Sequence, residues 1–245
     1  MGRRRPSGIS VDGDLTINGG TITGTDQTIA LAGDWVNNVG ASGYDGSGGS
    51  STGTVNLLDA TSPSQLIGAT TFQNLTITGT GATNQGKVVQ LESGVTQTVA
   101  GNLTITGETY GFGEIAYVSF GSTVSGVQAS IDVAGTDTVT YAAIQDSNAI
   151  TALAASNSLD LGNNTNWTIG GPSADIWEGD ISTDWFDGGN WQSGSVPSGT
   201  MTAVIPGDAV RMPVFTANYT AGSVTIVIGA GATMDVQAYR LDTVA

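Results

Sequence analysis

Cysteine and histidine are both missing from these 245 residues. Without cysteine there is no disulfide and no thiolate metal site, so stability has to come from packing and backbone ladders. Without either residue there is no Ser-His-Asp or Cys-His relay. Cations are almost as scarce: 6 Lys and Arg stand against 21 Asp and Glu, for a net charge of −15, and Lys87 is the single lysine. Counterion release, which drives nucleic-acid binding, has almost no cations to work with, so a nucleic-acid partner is excluded. Charged residues of both signs make up 11% of the chain, against roughly 25% in ordinary domains. No apolar run reaches the roughly 18 residues of a membrane-spanning helix, so no membrane span is expected. The cluster Arg3, Arg4 and Arg5 in MGRRRPSG is like the charged start of a secretory signal, yet no apolar run of about 7–15 residues follows it. Residues 1–8 are read as a flexible tail, with any export signal absent, already removed or encoded upstream.

What fills the chain is Gly, Thr, Ser and Asn between short apolar runs. NLTITG stands at 74–79 and again at 102–107, with the relative DLTING at 14–19. Alternate side chains of a strand face opposite sides, so Leu75 and Ile77 share one face while Asn74, Thr76 and Thr78 share the other. Leu103 with Ile105, and Leu15 with Ile17, repeat the arrangement. Each such pair, once buried, contributes about 3–6 kcal/mol of transfer free energy. One short strand cannot cover that face alone, whereas stacked copies can. Further β-type runs such as GTVNLL, SQLIGATTF, KVVQLES, DTVTYAAIQDS and GSVTIVIGAG are punctuated by Gly, Asn, Asp or Ser. No long 3.6-residue period exists, and AITALAASN at 149–157 is at most a turn of helix.

Two all-β architectures compete. A sandwich needs hairpin turns, and only Asn18-Gly19 fits one. The repeats favour a parallel β-helix, that is, a β-solenoid, over residues 9–170, followed by a second short β-rich segment over 171–245. Coils of about 20–30 residues rising about 4.8 Å each make a rod about 35 Å long. The expected core ladder is Leu15, Ile17, Leu75, Ile77, Val88, Leu91, Leu103 and Ile105, with Thr and Asn ladders outside.

LAGDWVNN, TFQNLTITGTG, TVAGNLTITG and IDVAGTDTVTYAAIQDSNA with NSLDLGNNTNW resemble the β-strand-repeat regions of large bacterial surface proteins, adhesins and autotransporter passengers. The resemblance covers nearly all of 9–170 and implies a right-handed parallel β-helix with a structural or adhesive role. After GGPSAD at 170–175, Trp177, Gly179, Ser182, Asp184, Trp185, Asn190, Trp191, Gly194 and Pro197 resemble the segment that opens new β-helical stretches in similar proteins. The pattern stops at Ala245 without an evident polar cap, which leaves a fragment or an end that pairs with another subunit.

The acidic cluster around Asp175 and Glu178 provides the best candidate chemistry. Asp180, Asp184, Asp187 and Asn190 offer oxygens that Ca²⁺ would accept, although neither the calcium-loop spacing nor the repeat-type nonapeptide is present. The competing reading is a solvated loop whose Asp and Asn cap turns. Ca²⁺ apart, no cofactor is expected. Trp177, Trp185 and Trp191 are candidate glycan-stacking rings, or else the small core of a junction; Trp35 and Trp167 are read as packing. A polysaccharide-degrading enzyme would need paired carboxyls, for which Asp132 with Asp137 or Asp146 with Asp160 are available. Asn74, Asn102, Asn163, Asn166 and Asn218 open N-x-T triplets, which arise freely in such a chain. The T-x-T pairs Thr21/Thr23, Thr76/Thr78 and Thr104/Thr106 would place flat threonine arrays on an outer face, unless they are simply good exposed strand residues. A Cys-free, Lys-poor, acidic, Thr/Asn/Gly-rich chain is expected of a bacterial exported protein, extracellular or on the cell surface. Its expected partners are other copies of itself, end to end or edge to edge, or cell-surface glycans.

Overall fold

The structure is a computed structural model that describes residues 8–24, 27–46, 52–58, 63–79, 86–110, 114–222 and 224–243. Arg3, Arg4 and Arg5 lie outside the described residues. Gly8, expected at the end of the tail, instead opens the first strand, Gly8–Val11. The chain divides into two compact units, residues 1–110 with 115–171, and residues 172–245 with 111–114.

The first unit is built by a chain that keeps returning to the same places. Gly8–Val11, Thr28–Leu31, Thr54–Leu57, Asn74–Thr78, Leu103–Thr106 and Asp137–Thr140 lie side by side in that order. A second row runs Leu15–Ile17, Trp35–Asn37, Ser64–Ile67, Val88–Leu91, Val118–Ser122, Ala142–Ile144 and Leu159–Asp160. A third runs Thr71–Phe72, Thr96–Val99 and Ala129–Val133. The long strand Ser147–Ser156 pairs with Ala129–Val133 near its start and with Asp137–Thr140 near its end. It thereby joins the first and third rows into one 11-stranded sheet, beside the 7-stranded sheet of the second row.

The ladders of both sheets are parallel, as in Thr54–Leu57 on Asn74–Thr78 and Ser64–Ile67 on Val88–Leu91. Parallel neighbours cannot be joined by a tight hairpin, so the antiparallel sandwich does not describe these sheets. Register partners stand between 14 residues apart, at Ala155 and Ile169, and 34 apart, at Leu103 and Asp137. The described residues hold no α-helix. The segment 149–157 with its helical option is strand through Ser156, because a ladder on each side holds it extended.

The repeated hexapeptide now has its explanation. Leu75 lies on Leu103, Thr76 on Thr104, Ile77 on Ile105 and Thr78 on Thr106, so every side chain meets its own copy one return later. On the inner face the line continues backward from Leu75 to Val55 and Ile29, and from Ile77 to Leu57 and Leu31. All of these are buried, each contributing about 1.5–3 kcal/mol. At the strand starts, Asn74 Oδ1 accepts the Asn102 backbone N–H at 2.9 Å, and Asn102 Oδ1 accepts the Thr136 hydroxyl at 2.8 Å. Polar side chains thus stitch the same rungs from outside. The rungs come so close at Gly68 that a Cβ would stand 2.0 Å from the Asn37 carbonyl oxygen, and its φ of +77° also calls for glycine.

Two core expectations are corrected. Val88 is only half-buried, and Val89 takes the inner position with Leu91. Residues three apart cannot share one face of a strand whose side chains alternate. Leu15 is half-buried because its strand ends the second sheet and has a neighbour, Trp35, on one side only. Ile17, Leu75, Ile77, Leu91, Leu103 and Ile105 are buried. Trp35 is fully buried, its indole N–H donating to Thr70 Oγ1 at 3.0 Å and its ring edge-on to Tyr44 and Phe72.

The second unit repeats the plan in brief. Ala174–Ile176, Thr202–Ile205 and Thr225–Ile228 form a parallel sheet, Tyr219–Gly222 pairs in parallel with Leu241–Thr243, and Asp184, Val214 and Asp235 are linked by parallel bridges.

A charge scan across one strand checks the corrected phase. Val89→Asp should cost about 3 kcal/mol or more by burying a carboxylate without partners, whereas Val88→Asp should stay within about 1 kcal/mol. Equal losses of melting temperature for the two variants would contradict the inward assignment of Val89.

Candidate functional site

The acidic and tryptophan-rich segment after residue 174 has the densest set of polar contacts in the second unit. Asn190 sits at its centre, fully buried at the end of a short 3-10 turn, Gly188–Asn190. Its Oδ1 accepts the backbone N–H groups of Ile181 and Ser182 at 3.0 and 2.7 Å. Its Nδ2 donates to Ser182 Oγ and to the Asp184 carbonyl, both at 2.9 Å. One amide therefore clamps the whole 181–184 loop.

The neighbouring carboxylates are engaged in the same way. Asp184 Oδ1 accepts from Phe186 N at 3.1 Å and from the Thr216 hydroxyl at 2.7 Å, and Asp187 Oδ1 caps Gly189 N at 3.0 Å. Asp180 is exposed, and its carbonyl accepts from the Arg211 guanidinium at 2.8 Å, as does the carbonyl of Gly179. Asp184, Asp187 and Asn190 thus act as turn caps and clamps, while Asp180 contributes only its backbone carbonyl, to Arg211. Among the described residues no group of three or more carboxylates converges as a metal ion would require.

The indoles correct the glycan-stacking expectation. Trp177, Trp185 and Trp191 are 0, 0 and 2% exposed, which leaves no ring face for a sugar. They pack on one another instead: Trp185 and Trp191 are edge-to-face at 4.6 Å, Trp177 and Trp191 at 5.2 Å, and Phe215 closes on Trp185 at 4.9 Å. The physical reason is supply. The sheet of Ala174–Ile176, Thr202–Ile205 and Thr225–Ile228 has three strands, against eleven and seven in the sheets of the first unit, so three large rings provide the apolar area that long aliphatic lines provide there. Trp191 Nε1 donates to the Trp185 carbonyl at 2.9 Å and Trp177 Nε1 to the Arg211 carbonyl at 2.5 Å, while the buried Trp185 Nε1 has no partner among the described residues. Trp167, in the first unit, is half-buried and edge-on to Phe120.

The carboxyl pairs considered for hydrolysis are also tied down. Asp132 accepts the Thr151 hydroxyl at 2.9 Å and Asp137 the Ala154 N–H at 3.0 Å. Asp146, 4% exposed, accepts from Gly126 N and from Asn163 Nδ2. Asp160 accepts from Gly162 N and Asn164 Nδ2.

The burial of two ionisable residues, Lys87 and Asp175, was not anticipated from the sequence. Lys87 is fully buried and donates to Ser64 Oγ at 2.8 Å; its place in one alternating phase with Val89 and Leu91 was the available signal. Asp175 is 2% exposed, its Oδ1 accepting from Ile176 N and Ser193 N and its Oδ2 from the Ser193 hydroxyl. Burial raises its pKa above the ordinary 3.8, and the Ser193 hydroxyl, the Ser193 N–H and the Ile176 N–H pull it partly back. Its alternation with the buried Trp177 was legible, but not that a carboxylate would take that place.

No family model matches the chain, and neither a curated protein nor a solved structure matches it.

Asp175 makes the fold pH-sensitive in a defined direction. Its folded pKa is raised, so its contribution is fully present below the unfolded value of about 3.8 and is lost as pH rises through the folded value. Asp175→Asn keeps an oxygen for the two backbone N–H groups and cannot ionise, so its melting temperature should fall less than that of the wild type between pH 3.5 and pH 7 on the order of the carboxyl titration range. Parallel melting curves for the two proteins would remove this role.

Proposed function

We propose that the chain is a β-solenoid, a right-handed parallel β-helix, which serves as a non-enzymatic structural or adhesive module of a bacterial cell-surface protein or extracellular filament. The register of Asn74–Thr78 on Leu103–Thr106 carries this reading, since identical residues are laid on identical residues. Such a ladder gives stiffness and a regular surface and uses no reactive group. The carboxylates expected to do chemistry are bonded mainly to backbone N–H groups, hydroxyls and amides, which suits a structural role.

The partner is read as another copy of the chain. Edge strands present unpaired N–H and C=O groups and serve as templates for pairing. Gly8–Val11 ends one sheet and Thr225–Ile228 another, with Ile9 54%, Val227 46% and Ile228 49% exposed. Binding or breakdown of a polysaccharide is the rival reading, and it has lost the aromatic platform that Trp177, Trp185 and Trp191 would have supplied.

Electron microscopy over a concentration series tests the assignment. Rods that lengthen with concentration, and fail to do so in Ile228→Lys, are the expected result. Globules of constant mass, together with release of reducing ends from a polysaccharide, would favour the enzyme instead.

A further inference from the structure

On the outer face of the second sheet, a column of glutamines is broken by one glycine. Gln65 lies on Gln90, and Gln90 on Gly121. Gln145 follows Ile144, which lies on Phe120, so it stands beyond Gly121 in the same column. A Cβ at Gly121 would come within 2.5 Å of the Gln145 carbonyl oxygen, so only glycine fits there without a shift. The missing side chain leaves a pocket of about 260 Å³ between Gln90 and Gln145, bordered by Ser119 and Ser125. Among the described residues no hydrogen bond engages the Gln145 amide or either of these hydroxyls.

A buried carboxylate lines the same pocket. Asp146 is 4% exposed. Its Oδ2 accepts from Gly126 N at 2.9 Å and its Oδ1 from Asn163 Nδ2 at 2.6 Å, and both donors are neutral. Among the described residues no Lys or Arg pairs with it. Desolvating a carboxylate is costly, so buried ones are ordinarily matched by a cation, and two bonds leave lone pairs free on its oxygens. The adjoining rungs add only negative charge: Glu92 follows Leu91, which lies on Ser122, and Asp160 lies on Ile144.

We propose that this pocket binds an organic cation, a primary ammonium or guanidinium group. Its charge is met by Asp146, and its remaining N–H groups by the Gln145 amide oxygen and the Ser119 hydroxyl. The net charge of −15 draws such a ligand in and repels an anion. A hard metal ion would call for six or more oxygens, several of them from carboxylates, and no three carboxylates converge among the described residues. The volume lies just below the roughly 300 Å³ at which ligand pockets begin, a size for a head group rather than a long chain. The inference needs only this face of the second sheet and does not draw on the filament reading.

Titration calorimetry on the full chain tests it, with the fold checked by circular dichroism and melting. Putrescine and agmatine serve as free cations, and the peptide acetyl-Gly-Lys-Gly-amide as a cation carried on a side chain. Saturable one-site binding is expected, and none for 1,4-butanediol, the uncharged analogue of putrescine. Asp146→Asn should weaken binding about tenfold or more, the worth of one charge-assisted hydrogen bond. Asn also suits the left-handed φ of +52° at this position. Ser119→Phe fills the pocket from a half-buried outward position and leaves Asp146 in place, so it should abolish binding and tests the site independently. Asp12→Asn removes the same charge at an exposed bend elsewhere and should bind as the wild type does. Binding of the free amines supports a small-molecule ligand, and binding of the peptide alone a lysine of a protein partner. Absence of saturable binding by the folded wild type would overturn the proposal, as would full binding by folded Asp146→Asn or Ser119→Phe. Displacement by Ca²⁺ at a concentration below that at which the amine binds would also overturn it, in favour of a metal.

Discussion

Parallel, in-register stacking of like side chains is the interaction on which the first unit depends. A strand of four or five residues has too little apolar surface to persist alone. When Leu75 lies on Leu103 and Ile77 on Ile105, each shields the edge of its neighbour, and that burial offsets the conformational entropy lost in forming the backbone ladder. The buried lines then run from Ile29 to Leu103 and from Leu31 to Val139. A unit without disulfides or a helix can stand on such lines, since each new rung both completes the one before it and prepares the next.

The polar residues follow the same rule on the other side of the strands. Asn74 and Asn102 meet the backbone or the side chain of the rung beyond, and Gln65 Nε2 donates to Gln90 Oε1 at 3.3 Å in the second sheet. Two amides that turn inward find carbonyl or hydroxyl oxygens to donate to. Asn37 Nδ2 reaches the Gly40 carbonyl and Thr70 Oγ1, and Gln97 Nε2 reaches the Leu66 and Gly68 carbonyls. Burial of such groups is tolerable because they are bonded. The second unit meets the same need differently. Its rungs are few, and a cluster of indoles with Phe215 and Tyr219 replaces the aliphatic lines, while Asn190 and Asp175 fix the loops around it.

Stacked rungs also copy their outer surface. Any residue pattern that recurs at the register spacing becomes a two-dimensional net, whether or not it has been selected for a ligand. The Thr columns arise in this way from a strand whose inner face is constrained to Leu, Ile and Val.

By itself the sequence determined that the protein is β-rich, that Leu75, Ile77, Leu103 and Ile105 face inward, and that NLTITG is a stacking unit, because period-two alternation and literal repetition are local properties of the chain. Alternation puts Lys87, Val89 and Leu91 on one face of KVVQL and Val88 and Gln90 on the other, and only the tertiary structure decided which face turns inward, the neighbouring rungs choosing the first. It decided likewise that Lys87 lies inside, that the three tryptophans cover one another rather than face solvent, and that Asp184, Asp187 and Asn190 are drawn to backbone amides and loops. Thr138 and Thr140 joined the outer net only once Asp137–Thr140 was placed on Leu103–Thr106. The physical reason is the same in each case: burial and hydrogen-bond partners come from residues tens of positions away, and the pairing that brings them near is not written in any one segment.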